Sequence, residues 1–230
     1  MTKRSYILTT VAVFLAITAA YSQYPNVRVT SNTADQSETA VAVSPLAGNT
    51  LIGAWNDFRS GVFSQPRYAV TQDGGYTWTE GIVRAANNLP TYIYGFDPSV
   101  AIDRGGRMFC CYIGASGVTL GGTFVSRSVN QGSSWDTVKQ VSSILTNQDK
   151  PFMAIDNTGG SRDGRIYVSW TDFSSGSAIK FAYSADHGLT YSSPATLGSQ
   201  AANRGTYPFM KPGTSTNPGA PTTVFVQGCT

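Results

Sequence analysis

Thr71-Gln72-Asp73-Gly74-Gly75-Tyr76-Thr77-Trp78 (TQDGGYTW) recurs twice more in altered form. The later copies are Ser128-Val129-Asn130-Gln131-Gly132-Ser133-Ser134-Trp135 (SVNQGSSW) and Ser184-Ala185-Asp186-His187-Gly188-Leu189-Thr190-Tyr191 (SADHGLTY). From Asp73 to Asn130 is 57 residues, and from Asn130 to Asp186 is 56. A fixed period of this length marks a chain built from repeated supersecondary units. In each copy an Asp or Asn can accept backbone N–H groups a few residues on and so fix a turn. The Gly supplies left-handed backbone, and the closing Trp or Tyr supplies an apolar body to pack beneath.

The sequence upstream repeats in step. Thr39-Ala40-Val41-Ala42-Val43 is matched to Ser99-Val100-Ala101-Ile102-Asp103 and to Phe152-Met153-Ala154-Ile155-Asp156. A Gly-containing turn follows each, then a second apolar strand: Thr50 to Trp55, Arg107 to Ile113, and Arg165 to Trp170. A third strand enters the motif (Arg67 to Thr71, Thr123 to Ser128, Ile179 to Ser184), and a short fourth leaves it, such as Gly81 to Arg84 or Thr137 to Val141. Four short strands per repeat predict an all-β chain, a β-propeller of four-stranded antiparallel blades. A sandwich would not repeat its turn chemistry at a fixed period. The expected blades span 36–95, 96–148 and 149–205, after a lead-in at 23–35. An incomplete fourth blade at 206–230 includes the strand Ala220 to Gln227. Three and a half blades cannot close a ring alone, so either C-terminal blades are missing or a second chain pairs with this one.

Composition agrees. Only 13% of the 230 residues are charged and 24 are Gly, which disfavours helix and favours strands joined by tight turns. The net charge of +3 is small, with no run of Lys or Arg, so no nucleic-acid partner is expected. Lys3 and Arg4 precede an apolar run of 14 residues, Ile7 to Ala20, and Ala20-Tyr21-Ser22 offers small residues for cleavage before Gln23. Fourteen residues are too few to cross about 30 Å of hydrocarbon, so residues 1–22 read as a signal peptide rather than a membrane span. The protein is expected to be secreted or periplasmic.

Cys110 and Cys111 are neighbours in one strand and so point to opposite faces, which disfavours a bond between them. A bond from either to Cys229 stays open. No Cys/His spacing suggests zinc, and DNTGGSRDG, residues 156–164, departs from a calcium loop, so no metal or cofactor is expected. The three turn motifs are read as structural: Asp73, Gly75 and Trp78; Asn130, Gly132 and Trp135; Asp186, Gly188 and Tyr191. Asn130 keeps the hydrogen-bonding geometry without the charge, and one acid per blade cannot form a catalytic pair. His187 reads as a surface residue, and Trp55, Tyr92, Tyr94, Trp170 and Tyr207 as packing residues that could otherwise stack on sugars. Glu38, Asp57, Asp97, Asp149, Lys150 and Asp172 fall at ends of inner strands, where propeller ligand sites gather.

The three motifs resemble the Asp-box repeats of the sialidase superfamily. Asp149 to Asp156 (DKPFMAID) and Gly164 to Asp172 (GRIYVSWTD) are similar to blade segments of secreted exo-α-sialidase-like proteins. The resemblance runs from about Thr39 to Tyr191, with a weaker restart at Thr206 to Met210. It implies a six-bladed ring when complete and a glycoside hydrolase acting on terminal sugars of extracellular glycans. Three arginines would hold the sugar carboxylate, a Tyr assisted by Glu would attack, and an Asp would serve as acid/base. The first arginine's place is taken by Ser37, and the next blades carry Phe96-Asp97-Pro98 and Asp149-Lys150-Pro151 there. Trp55-Asn56-Asp57-Phe58-Arg59 resembles the family's second-strand end, making Arg59 and Asp57 catalytic candidates, though Ser60 to Arg67 holds no carboxylate. Asp97, Asp149, Lys150, Asp172 and Trp55 are the candidates for binding the glycan. The alternative implied by the missing arginine and acid is a non-catalytic propeller serving as a surface binding or scaffold module.

Overall fold

The computed structural model describes residues 26–83, 94–116, 119–136, 138–142, 147–199, 206–211 and 223–228. The expected signal peptide, Tyr92 and Cys229 lie outside them, as does the side chain of Tyr207. Three antiparallel sheets of four strands follow one another along the chain. The first holds β1 (Gln36–Val43), β2 (Leu51–Asp57), β3 (Gln65–Thr71) and β4 (Thr79–Ile82) in sequence order. The second holds β5 (Tyr94–Ile102), β6 (Met108–Ser116), β7 (Thr119–Ser128) and β8 (Lys139–Gln140). The third holds β9 (Gln148–Ile155), β10 (Ile166–Asp172), β11 (Ala178–Ser184) and β12 (Ala195–Ser199). A two-stranded sheet of β13 (Thr206–Lys211) and β14 (Thr223–Gly228) starts a fourth unit. Strands β1, β5, β9 and β13 contact one another in succession, so they are the innermost strands of adjoining blades. The fold is an all-β propeller with about three and a half blades. The second blade starts at Tyr94 and the third at Gln148, slightly ahead of the expected 96 and 149. Among the described residues no helix is long and apolar enough to cross a membrane.

Pairing within the blades shifts the upstream alignment by one residue. Val41 faces Gly53, Val100 faces Cys110 and Met153 faces Val168. Val41-Ala42-Val43 is therefore equivalent to Val100-Ala101-Ile102 and Met153-Ala154-Ile155, not to the residues one place later. Strands alternate faces with period two, so that single step decides which blade each side chain meets.

Blades one and two bury Ile52, Ala54, Tyr68 and Val70 against Val100, Ile102, Met108, Cys110 and Tyr112. Blades two and three bury Phe109, Cys111 and Val125 against Met153, Ile155, Ile166, Val168 and Trp170. Cys110 and Cys111 thus enter different cores as free thiols, both fully buried. Burial pushes both thiols well above their usual range. The leading face of the first blade lacks such cover. Val41 and Val43 are 68% and 52% exposed, whereas Val100 and Ile102 are 7% and 2%.

The repeated turns join the third and fourth strands of each blade by one hydrogen-bond pattern. Asp73 Oδ1 accepts from Thr77 N at 2.9 Å, Asn130 Oδ1 from Ser134 N at 2.9 Å, and Asp186 Oδ1 from Thr190 N at 2.9 Å. The hydroxyls of Thr71, Ser128 and Ser184 accept from the N–H groups of Gly75, Gly132 and Gly188 at 3.0, 2.9 and 2.8 Å. The carboxylates also take hydroxyl donors: Thr77 to Asp73 and Thr190 to Asp186, both at 2.6 Å. Asn130 reverses that last bond, donating from Nδ2 to Ser134 Oγ at 2.8 Å. Hydrogen bonds from Thr77 and Thr71 pull the Asp73 carboxyl far below its ordinary range. For Asp186 slight burial pushes up, but bonds from Thr190, Ser184 and Leu189 outweigh it and bring the group to about 2. Trp135 and Tyr191 pack against the cores beneath their turns, while Trp78 donates its indole N–H to Gly75 O at 3.0 Å.

Candidate functional site

The innermost strand of each of the three four-stranded blades carries a bulge at the same place. Pairing shifts between Ser37 and Ala40, between Phe96 and Ser99, and opposite Ser169 to Thr171 on the third blade. The displaced residues are Glu38, Asp97 and Lys150, with φ of 53°, 55° and 47°. Pro98 and Pro151 follow two of them, and a residue without N–H cannot join the ladder there. Left-handed backbone at a non-glycine residue costs roughly 1–2 kcal/mol, so the bulge is held by its surroundings. It turns three side chains out of the regular pleat and toward one another.

The result is a linked set at one end of the inner strands. Asn56 Nδ2 donates to Glu38 Oε2 at 3.0 Å, and Asn56 Oδ1 accepts from the Asp97 backbone N–H at 2.9 Å. The Lys150 backbone N–H donates to Asp97 Oδ2 at 3.2 Å. The Lys150 ammonium pairs with the Glu38 carboxylate across two blades and lies 3.5 Å from Asp97 Oδ1. Asp149 adjoins Asp97, and its carboxyl holds a proton more tightly than an ordinary carboxyl. Partial burial first, then the neighbouring Asp97 carboxyl and its charge, push the Asp149 carboxyl up, against an opposing pull from Lys150. A carboxyl with raised proton affinity, beside an ammonium and two further carboxylates, can hold and release a proton or accept bonds from sugar hydroxyls.

Of the expected site residues, the structure therefore brings Asp97, Asp149 and Lys150 together with Glu38 and places the others elsewhere. Asp57 is fully buried and takes a forked pair from Arg59, Nε to Oδ1 and Nη2 to Oδ2, each at 2.8 Å. Trp55 Nε1 donates to Asp57 Oδ2 at 2.9 Å, and Arg59 Nη1 lies 2.6 Å from Glu80 Oε1. Burial pushes the Asp57 carboxyl up, but the bonds from Arg59 and Trp55 prevail and lower it. The Arg59 fork is filled by Asp57, so it does not present itself to a sugar carboxylate. Trp55 is 5% exposed and offers no stacking face, and Trp170 is buried in the core. Asp172 caps a single 3₁₀ turn, Phe173–Ser175, accepting from Ser174 N at 3.0 Å. Tyr94 packs on Phe63 with ring centroids 4.8 Å apart.

Two other sequence candidates are structural links. Asp156 Oδ1 accepts from Thr158 N at 3.0 Å and Asp163 Oδ1 from Gly159 N at 2.8 Å, closing the glycine-rich loop on itself. His187 Nδ1 lies 2.8 Å from Arg107 Nη2 and 3.6 Å from Asp103 Oδ2, joining blades two and three. Sequence reasoning placed Glu38, Asp97, Asp149 and Lys150 at strand ends, but not the bulge that gathers them. The available signal was the acid-or-lysine followed by Pro, Asp97-Pro98 and Lys150-Pro151, at one place in successive repeats.

No protein-family model matches this chain, and no curated protein matches its sequence. Solved structures do match. A protein of unknown function from Dyadobacter fermentans aligns with TM-score 0.56 at 18% identity, over 77% of this chain and 59% of that one. A Hadza microbial sialidase aligns with TM-score 0.56 at 14% identity, over 84% and 44%. The leech intramolecular trans-sialidase, complexed with 2,7-anhydro-Neu5Ac, aligns with TM-score 0.53 at 13% identity, over 80% and 47%. At these identities the likeness establishes the fold, a propeller shared with glycosidases. The chain spans about half the length of those structures, between 44% and 59%.

Proposed function

We propose that this chain is part of an exported propeller glycoside hydrolase acting on terminal sugars of extracellular glycans, with the axial set of Glu38, Asp97, Asp149 and Lys150 in its active site. The carrying observation is the linked set itself, Lys150 paired with Glu38 beside Asp97, at the place where innermost strands of three blades meet. A glycosidic bond is flanked by carboxyls about 5–9.5 Å apart, one of which must carry a proton. Asp149, with its raised affinity for a proton, is accordingly the acid for the leaving oxygen, and Asp97 sustains that state. Glu38, held across Lys150, is the carboxylate for the opposite side. Export would follow from the apolar N-terminal segment, and further blades would complete the ring.

The exo-α-sialidase subtype is supported by the turn motifs and by the sialidases among the structural neighbours. An anionic sugar needs arginines that Ser37 and the filled fork of Arg59 do not supply, so further blades would have to carry them, with the Tyr and Glu. The same two observations favour the second reading, a binding propeller without catalysis. The test is hydrolysis of fluorogenic sialosides and neutral aryl glycosides by a ring-complete protein and its Asp149→Asn variant. Turnover abolished by Asp149→Asn supports the assignment; turnover indifferent to it, or none on any substrate, sinks it. The 230-residue chain alone is expected to be inactive, and turnover by it would refute the need for further blades.

A further inference from the structure

The end of the blades opposite the axial set holds a groove that the repeat comparison makes informative. Pairing of Leu51 with Thr71, Met108 with Ser128 and Ile166 with Ser184 puts the three turns in register. In that register Val70, Arg127 and Tyr183 are equivalent, as are Thr79 and Asp136, and Gln131 and His187. Between blades two and three, Arg127 crosses the gap: its Nε lies 2.6 Å from Asp136 Oδ2, and its Nη1 donates to His187 O at 3.2 Å. Between blades one and two the same place has the short Val70 for the arginine and Thr79 for the aspartate. Among the described residues the crossing there is made by the Tyr68 hydroxyl, which donates to Gly132 O at 2.6 Å on the floor.

A cavity of about 310 Å³ is left, lined by Tyr68, Val70, Gln72, Thr77, Thr79, Gln131, Gly132 and Ser133. Among the described residues no charged side chain lines it, so a charged ligand would lose hydration without a counter-charge. The side-chain amides of Gln72 and Gln131 and the hydroxyls of Thr79 and Ser133 can both donate and accept. The Thr77 and Tyr68 hydroxyls, which donate to Asp73 and to Gly132 O, can accept, so the lining matches a ligand whose groups also do both. The aliphatic and aromatic floor suits the apolar face of a ring, and the volume lies at the low end for small-molecule sites. We infer that this interblade groove binds a single neutral sugar ring, independently of the axial set.

The test is amide-resolved NMR titration of the full chain with methyl α-D-mannopyranoside, methyl β-D-galactopyranoside, methyl α-L-fucopyranoside and N-acetylneuraminic acid. At least one neutral glycoside should shift the amides of Gln72, Thr77, Gln131 and Ser133, and the anionic sugar should not. Val70→Arg, which refills the gap as Arg127 does, should abolish the shifts. Gln131→Ala, at an exposed position, should weaken them without risk to folding. Asp97→Asn should leave them intact, which separates this site from the axial one. Shifts by no neutral glycoside, shifts by the anionic sugar alone, or shifts unchanged in both groove variants would overturn the inference.

Discussion

Substituting Gly132 by Ala tests how the repeated turn docks on the blade before it. Gly132 has φ of 84°, and an alanine there carries a left-handed strain of roughly 1–2 kcal/mol. Its Cβ would sit 2.8 Å from Val70 Cγ2 and 3.2 Å from Tyr68 Cε2, both on the preceding blade. Such close approaches to the floor of the groove cost roughly 1–3 kcal/mol. Displacing Tyr68 would also strain its bond to Gly132 O, worth about 1 kcal/mol. The expected loss is therefore roughly 2–6 kcal/mol, a large part of the ~5–15 kcal/mol that holds a typical domain. Gly75 is the internal control. Its φ is 97°, yet its added Cβ would meet only the Trp78 side chain, at 3.8 Å. Gly75→Ala should lose only the backbone component. Urea unfolding followed by tryptophan fluorescence measures both, and Val70→Ala in the Gly132→Ala background should recover part of the loss. Equal destabilisation by the two glycine variants, or no recovery on trimming Val70, would refute the docking argument.

Other outcomes follow from charge and burial. Asp186 has a folded pKa of about 2 against an ordinary 3.8, so its contribution is present above the ordinary value and fades as pH falls toward 2. Asp186→Asn, which installs the side chain found at Asn130, should flatten that acid limb in urea midpoints measured across pH; an unchanged limb would count against the staple. Asp149 is raised, so its sign is opposite: its favourable contribution is present at low pH and is lost as pH rises through its folded value. Asp149→Asn should raise the urea midpoint near neutrality and lose that advantage in acid. Val41→Glu, on a face 68% exposed, should unfold within about 0.5 kcal/mol of the parent, whereas Val100→Glu, 7% exposed, should cost several kcal/mol. Circular dichroism during denaturation reads the difference, and equal effects would mean that the leading face of the first blade is covered.

Much of the fold was legible because it rests on local rules used three times over. The Asp or Asn, the Gly and the closing aromatic act within eight residues, so their spacing alone revealed the turns. The inner strands were also recognised, but their alignment was one residue off. Ala-rich segments such as Thr39-Ala40-Val41-Ala42-Val43 do not display which alternate face is buried. Pairing resolved it, since Val41 opposes Gly53 as Val100 opposes Cys110. Arg59 was legible as a residue near a strand end, but not its filled fork, because Asp57 is two residues away and Glu80 comes from another strand.

By itself the sequence determined the repeat, the four-strand blade and the structural role of Asp73, Asn130 and Asp186, because each depends on contacts among near neighbours in the chain. Tertiary structure decided that Glu38, Asp97, Asp149 and Lys150 form one set while Asp57 and Asp172 stand apart. Lys150 meets Glu38 112 residues away through two bulged strands, and only the packing of blade on blade sets that distance. The groove beside Gly132 has the same origin: Val70 leaves a gap only because the next turn is held where an arginine would otherwise cross.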